Sequence, residues 1–218
     1  MKPTPPTVST LAAVALLAIT PACSAMSRPT SNPPPSTASS GSTANPYAAL
    51  ASVPSLSVTS ASVRDGQPFA AAQLSGIFGV PGGKDESPQL SWTAGPSGTK
   101  SYVVTMYDVD APTGSGFWHW TVYDIPATIH QLAAGAGTPG SATLPAGAIQ
   151  APDDASLPRY LGAAPPKGAA THHYYLTVTA IDVPRLAIAP SASPALVGFT
   201  ISTHTLARGH IIATATTK

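Results

Sequence analysis

Alternation of apolar and polar positions is clearest late in the chain. Counting by twos, His172, Tyr174, Leu176, Val178 and Ala180 share one side of an extended segment, and His173, Tyr175, Thr177 and Thr179 share the other. The density of β-branched and aromatic residues predicts a strand over 173–181. Ser101–Tyr107 (SYVVTMY) and Phe117–Ile125 (FWHWTVYDI) read as strands in the same way. Leu56–Val63 is strand-like and runs into the turn Arg64-Asp65-Gly66, and Leu90-Ser91-Trp92 follows a loop rich in Gly and Pro. A helix is expected near the C-terminus, over Ser202–Ala213, where His204, Leu206, Ile211 and Ile212 share part of a face. Several strands, irregular connections and one terminal helix predict an all-β-dominated fold over 51–218, a two-sheet β-sandwich with a short C-terminal helix.

Residues ahead of this domain follow a different pattern. Lys2 precedes the apolar run Leu11–Ile19, which has signal-peptide length and falls short of the roughly 20 residues that span a bilayer. Thr20-Pro21-Ala22-Cys23 resembles a bacterial lipobox, with Thr20 where leucine is usual. The expectation is a signal peptide over 1–22 and acylation of Cys23, giving an exported protein anchored to the cell membrane by lipid. Cleavage near Ala25, giving a secreted or periplasmic protein, is the alternative. Residues 23–50 are dominated by Ser, Thr, Pro and Ala and carry few large apolar side chains, so they read as a flexible tether.

Composition narrows the function classes. Charged residues make up 9% of the 218, the net charge is +1, and no Lys/Arg cluster occurs, which argues against binding nucleic acid. The single cysteine lies in the export region, so no internal disulfide forms and no Cys–His nucleophile is available. Neither a Gly-x-Ser-x-Gly elbow nor a phosphate-cradling or dinucleotide-binding glycine loop is present. Catalysis and cofactor use are therefore not expected. No ligand pair at helical spacing supports a metal, although His119, His172 and Asp108 would form a two-histidine, one-carboxylate set if the fold gathered them.

The densest chemistry lies in Asp108-Val-Asp110-Ala-Pro112-Thr-Gly-Ser-Gly-Phe-Trp118-His119-Trp120. Its first five residues resemble the Asp-Pro-Asp-Ala-Pro signature of the phosphatidylethanolamine-binding protein family, also called the Raf kinase inhibitor-like family, and the remainder is similar to its bacterial branch. Ser87-Pro-Gln-Leu-Ser-Trp92, Tyr160-Leu-Gly162-Ala-Ala-Pro165-Pro166 and Thr171-His172-His173-Tyr174 resemble three further motifs of that family, in the family's order. The resemblance implies a β-sandwich with a small anion pocket, with Asp108, His119, His172 and Tyr174 facing a phosphorylated or otherwise anionic ligand. Asp110, Pro112, Trp118, Tyr160 and Gly162 are implied as residues that shape it. A homodimer and a protein target, a protease or kinase inhibited through the pocket rim, stay open, as does a hydrolase built on the Asp/His cluster. Val109 and His173 depart from the family's usual proline and arginine, and Ala164 from its usual glycine or cysteine.

Such a pocket needs donors, which the imidazoles, the Tyr174 hydroxyl and backbone amides provide. Asp108 is the awkward member, because like charges about 4 Å apart repel by roughly 4 kcal/mol at an effective dielectric near 20. It must orient a histidine, share a proton with the ligand, or face a cationic group. The first is expected, with one or both histidines protonated when anion is bound.

Overall fold

A computed structural model describes residues 45–217. The expected signal peptide, Cys23 and most of the expected tether lie outside the described residues. Among the described residues, nine strands form two sheets. Strands β2 (Gln67–Pro68), β9 (Thr205–Ala215), β8 (His172–Ile181), β4 (Ser101–Asp108), β5 (Phe117–Pro126) and β7 (Ile149–Gln150) make a six-stranded sheet in that order. Strands β1 (Val58–Thr59), β3 (Leu90–Trp92) and β6 (Gln131–Leu132) make a smaller one. Every pairing is antiparallel except that of β2 with β9.

The main core fills the space between the sheets. Leu90, Trp92 and Leu132 of the small sheet meet Tyr102, Val104, Met106, Trp120, Tyr174, Leu176 and Val178 of the large one. A second cluster lies on the other side of the large sheet, where Val103, Tyr123 and Ile181 pack against Leu186 and against Val197 and Ile201 of helix α1 (Pro194–Ile201). β8 is therefore covered on both faces for much of its length, as its nearly unbroken run of large residues requires.

Three expected strands form close to their predicted limits, as β4, β5 and β8. The segment 56–63 pairs only at Val58–Thr59. The helix expected over 202–213 is instead strand β9, antiparallel to β8 along its length. Its buried residues Ala207, Gly209, Ile211, Ala213 and Ala215 recur with period two, and Thr and Ile favour the pleated surface. Gly209 is needed there, because a Cβ would overlap the Leu56 carbonyl of the segment that crosses it. The helix that does form begins eight residues earlier than the expected one. Ser193 caps it by accepting from Leu196 N–H at 3.2 Å, and Pro194 occupies the first turn.

The long pairing of β4 with β5 contains two irregularities. Tyr102 and Val104 pair with Ile125 and Val122, so two β5 residues, Tyr123 and Asp124, stand against Val103 alone. Met106 and Tyr107 pair with Trp120 and Trp118, leaving His119 without a partner across the ladder. This second bulge lies where the expected site residues converge.

Candidate ligand-binding site

Three strands deliver the central side chains to one end of the large sheet. Asp108 is the last residue of β4, directly across from Tyr174 of β8. His172 begins β8 and shares the inward row with Tyr174, whereas His173 turns to the other face. On β5 the bulge breaks strict alternation and puts both His119 and Trp120 on the inner side. Trp120 enters the core, and the His119 ring lies edge-on to Tyr174 at 5.3 Å between centroids.

These groups border a cavity of about 250 Å³, with Asp108, His119 and His172 on its floor. Ala111, Pro112, Thr113 and Phe117 make one wall, Ala164 and Pro166 another, and Phe78 completes the rim. The floor is polar and the rim mostly apolar. Ala164, one of the departures noted above, contributes only a methyl group to this rim.

Asp108, His119 and His172 are each about 96–97% buried, so their hydrogen bonds determine what they can do. Asp108 accepts twice: Oδ2 lies 2.8 Å from His172 Nδ1, and Oδ1 accepts the Asp110 N–H at 2.9 Å. His172 Nδ1 therefore carries a proton, and its Nε2 has no hydrogen-bond partner among the described residues. His119 Nδ1 lies 3.0 Å from the Leu161 carbonyl, which can only accept, so Nδ1 carries the hydrogen there also. Burial pushes the His119 pKa down to about 4, against the opposing pull of Asp108 and the Leu161 and Gly162 backbone. At neutral pH His119 is therefore uncharged, with a bare lone pair on Nε2. Tyr174 keeps its proton, since burial first and Asp108 second raise its pKa.

The Leu161 carbonyl is held in place by a zipper of backbone bonds. Ser75 N–H donates to Ala163 O and Ala163 N–H to Gln73 O, both at 3.0 Å, while Leu161 N–H donates to His119 O at 2.9 Å. Gly162 presses so closely on Leu74 that a Cβ there would overlap the backbone. Its N–H donates to Asp85 Oδ1 at 2.8 Å, and Asp85 Oδ2 accepts the Ile77 N–H at 2.9 Å. Tyr160 is fully buried beside Trp120 and donates its hydroxyl to Gln73 O at 3.0 Å. Tyr160 and Gly162 thus act from behind, fixing the carbonyl that fixes His119.

The expected site residues divide accordingly. Asp108, His119, His172 and Pro112 border the cavity. Tyr174 lies behind the two histidines, with its hydroxyl buried and outside the cavity lining. Trp118 does not shape the cavity either. The bulge leaves it on the opposite face, tilted against Tyr107 with ring centroids 4.3 Å apart. Asp110 lies outside, where Oδ2 meets both the backbone N–H of His173, at 2.7 Å, and its Nδ1, at 2.8 Å. Asp85 and Phe78 were not anticipated. Asp85 carried one faint signal, an acidic residue just after the paired glycines Gly82-Gly83 in a chain poor in charge.

A polar, acid-and-imidazole floor beneath an apolar rim, at the edge of a two-sheet sandwich, defines a binding domain for a small ligand. Residues 59–216 match the family model described as phosphatidylethanolamine-binding protein, and the chain belongs to that family. It is 42% identical over 154 residues to the UPF0098 protein YbcL of Escherichia coli strain K12, a match spanning 71% of this chain and 84% of that one. To the UPF0098 protein YbhB of the same organism it is 48% identical over 131 residues, 60% of this chain and 82% of that one. The crystal structure of E. coli YbcL superimposes with a TM-score of 0.72 at 39% identity, covering 75% of this chain and 99% of that one. A homologue from Chlamydia trachomatis shares the fold, with a TM-score of 0.62 at 24% identity.

The neutral state of His119 has a consequence for stability. An unfolded histidine binds a proton near pH 6.5 and the folded one only near 4, so the unfolded state holds more protons between these values. Stability contributed by His119 is complete above pH 6.5 and falls by about 3 kcal/mol as pH drops to 4. Asp153, whose pKa burial raises to about 6, works in the opposite sense: it adds stability as pH falls from 6 towards 3.8. Urea denaturation of the protein and its His119→Gln variant separates the two. The variant is expected to gain on the parent by about 2–3 kcal/mol between pH 7 and pH 4.5, and a difference that does not change with pH contradicts the assignment.

Proposed function

We propose that this is an exported, lipid-anchored binding protein whose cavity takes a small anionic or phosphorylated ligand, such as phosphate or a phospholipid headgroup. The observation that carries the reading is the buried floor of Asp108, His172 and His119, in which both histidines bond to the protein through Nδ1 and keep Nε2 free. Asp108 is the orienter of His172, and it is already engaged by two donors, so a ligand oxyanion meets imidazole nitrogen rather than an unpaired carboxylate.

The bare Nε2 of His119 sets the terms of binding. An oxyanion cannot approach a lone pair without a proton between them. A hydrogen phosphate or phosphomonoester supplies that proton from its own oxygen, or the imidazole takes one up from solvent as the anion enters. Uptake by the imidazole makes binding favour acid, and so does a phosphomonoester, whose last proton is lost at about pH 6. The apolar rim of Phe78, Pro112, Phe117 and Pro166 suits a ligand with a nonpolar portion next to its charged group.

Isothermal titration of inorganic phosphate into the full chain between pH 5 and 8 tests the pocket. Affinity is expected to fall as pH rises, with net proton uptake measurable from buffers of different ionisation heat, and the pH-dependent binding is expected to drop at least tenfold in His172→Ala. Equal affinity across that range contradicts the reading. The anchor rests on Leu11–Ile19 and Cys23. In a bacterial host, Cys23→Ser is expected to move the protein from the membrane to the soluble fraction, and retention at the membrane contradicts acylation at that residue.

A further inference from the structure

The outer face of the large sheet carries a polar cluster that the pocket does not use. Arg208 and His210 lie on the outward row of β9, alternating with the buried Ala207, Gly209 and Ile211. Tyr47, from the segment preceding β1, covers them. Its ring lies 6.0 Å from that of His210 and 6.1 Å from that of Tyr175, and the Arg208 guanidinium carbon lies 5.1 Å from the Tyr47 ring centre. Tyr47 thus belongs to the folded domain rather than to the expected tether.

Between this segment and β9 lies a cavity of about 310 Å³ bordered by Asn45, Tyr47, Ser52, Ser55, Arg208 and His210. Its walls offer donors and no carboxylate. Asn45 uses its side-chain oxygen to accept the Tyr47 N–H at 2.9 Å, which leaves its amide N–H groups free for a guest. Arg208 is half-buried, and among the described residues its side chain makes neither an ion pair nor a hydrogen bond. The residues ahead of Asn45 cannot supply the missing charge. All nine acidic residues of the chain lie between Asp65 and Asp182, so that stretch contains none.

A partly desolvated guanidinium without a counter-charge is unfavourable in an empty cavity, and the environment lowers the Arg208 pKa, chiefly through burial. His210 is held down in the same way, again mainly by burial, with Asp65 opposing and Arg208 assisting. An Arg208 guanidinium without an ion pair among the described residues, in a cavity lined by donors and no carboxylate, points to an anionic guest. We propose that this cavity is a second anion site, on the opposite face of the sheet from the Asp108–His172 pocket, which takes a carboxylate or phosphate group in bidentate contact with Arg208. The planar fork of the guanidinium matches two oxygens of either group. The volume leaves room for an organic substituent beyond the oxyanion. Occupancy would tie the segment Asn45–Ser55 to β9 through the ligand.

The proposal does not depend on the function assigned to the first pocket, and one set of titrations keeps the two apart. Acetate and inorganic phosphate are titrated calorimetrically into the full chain and into Arg208→Gln, Ser55→Glu and His172→Ala. Arg208→Gln is expected to weaken one class of site at least tenfold for one or both anions, and that class persists in His172→Ala. Ser55→Glu places a carboxylate inside the cavity, so it is expected to eliminate the same class and to raise the midpoint of thermal unfolding. If Arg208→Gln fails to fold, the Ser55→Glu arm decides alone. Unchanged stoichiometry and affinity for both anions in the folded variants overturns the proposal, as does loss of all anion binding in His172→Ala.

Discussion

The bulge in β5 is the constraint on which the site depends. Along a regular strand, Trp118 and Trp120 would share a face and His119 would take the other. Leaving His119 unpaired opposite Met106 and Tyr107 lets it and Trp120 both turn inward. One consequence is structural: Trp120 anchors the core, and its indole N–H donates to Gln150 at 2.6 Å. The other is chemical, because His119 reaches the same floor as Asp108 and His172. The extra residue therefore brings β5 onto the same floor as the ends of β4 and β8.

Electrostatic control of the site follows from burial. Three ionisable side chains are withdrawn from water within a few ångströms of one another, and each survives because a fixed partner meets its Nδ1 or its carboxylate. Those partners come from distant parts of the chain. His119 leans on the Leu161 carbonyl, which Asp85 secures through the Gly162 amide, so a carboxylate remote in sequence helps determine which nitrogen of His119 faces the ligand. The outer pair, His173 with Asp110, mirrors the inner pair across the sheet and secures the base of the loop whose Ala111, Pro112 and Thr113 form a pocket wall.

Much of this was legible in the residues. β4, β5 and β8 follow from β-branched and aromatic density, and the choice of His172 over His173 follows from counting by twos along β8. β9 was misread because Thr, Ala and Ile in a short run fit a helix or a strand equally well, and the decision came from pairing with β8, a long-range contact that local spacing does not encode. The helix at Pro194–Ile201 escaped notice because its residues are apolar on all sides, and its capping serine lies within a Ser/Pro/Ala stretch like many others in the chain. The position of Trp118 depended on the bulge, which leaves no mark on the alternation pattern. The role of Asp85 arises only when residues 74–86 close onto 161–163.

Everything the pocket can do rests on His119 being a neutral ring, with its hydrogen on Nδ1 and a lone pair on Nε2. Long-range proton–nitrogen NMR of the ligand-free protein at pH 7 reads the state of each ring nitrogen directly. One protonated nitrogen, Nδ1, and one bare nitrogen, Nε2, are expected for His119, with Nδ1 of His172 protonated as well. A His119 that carries its hydrogen on Nε2, or on both nitrogens at that pH, would contradict this.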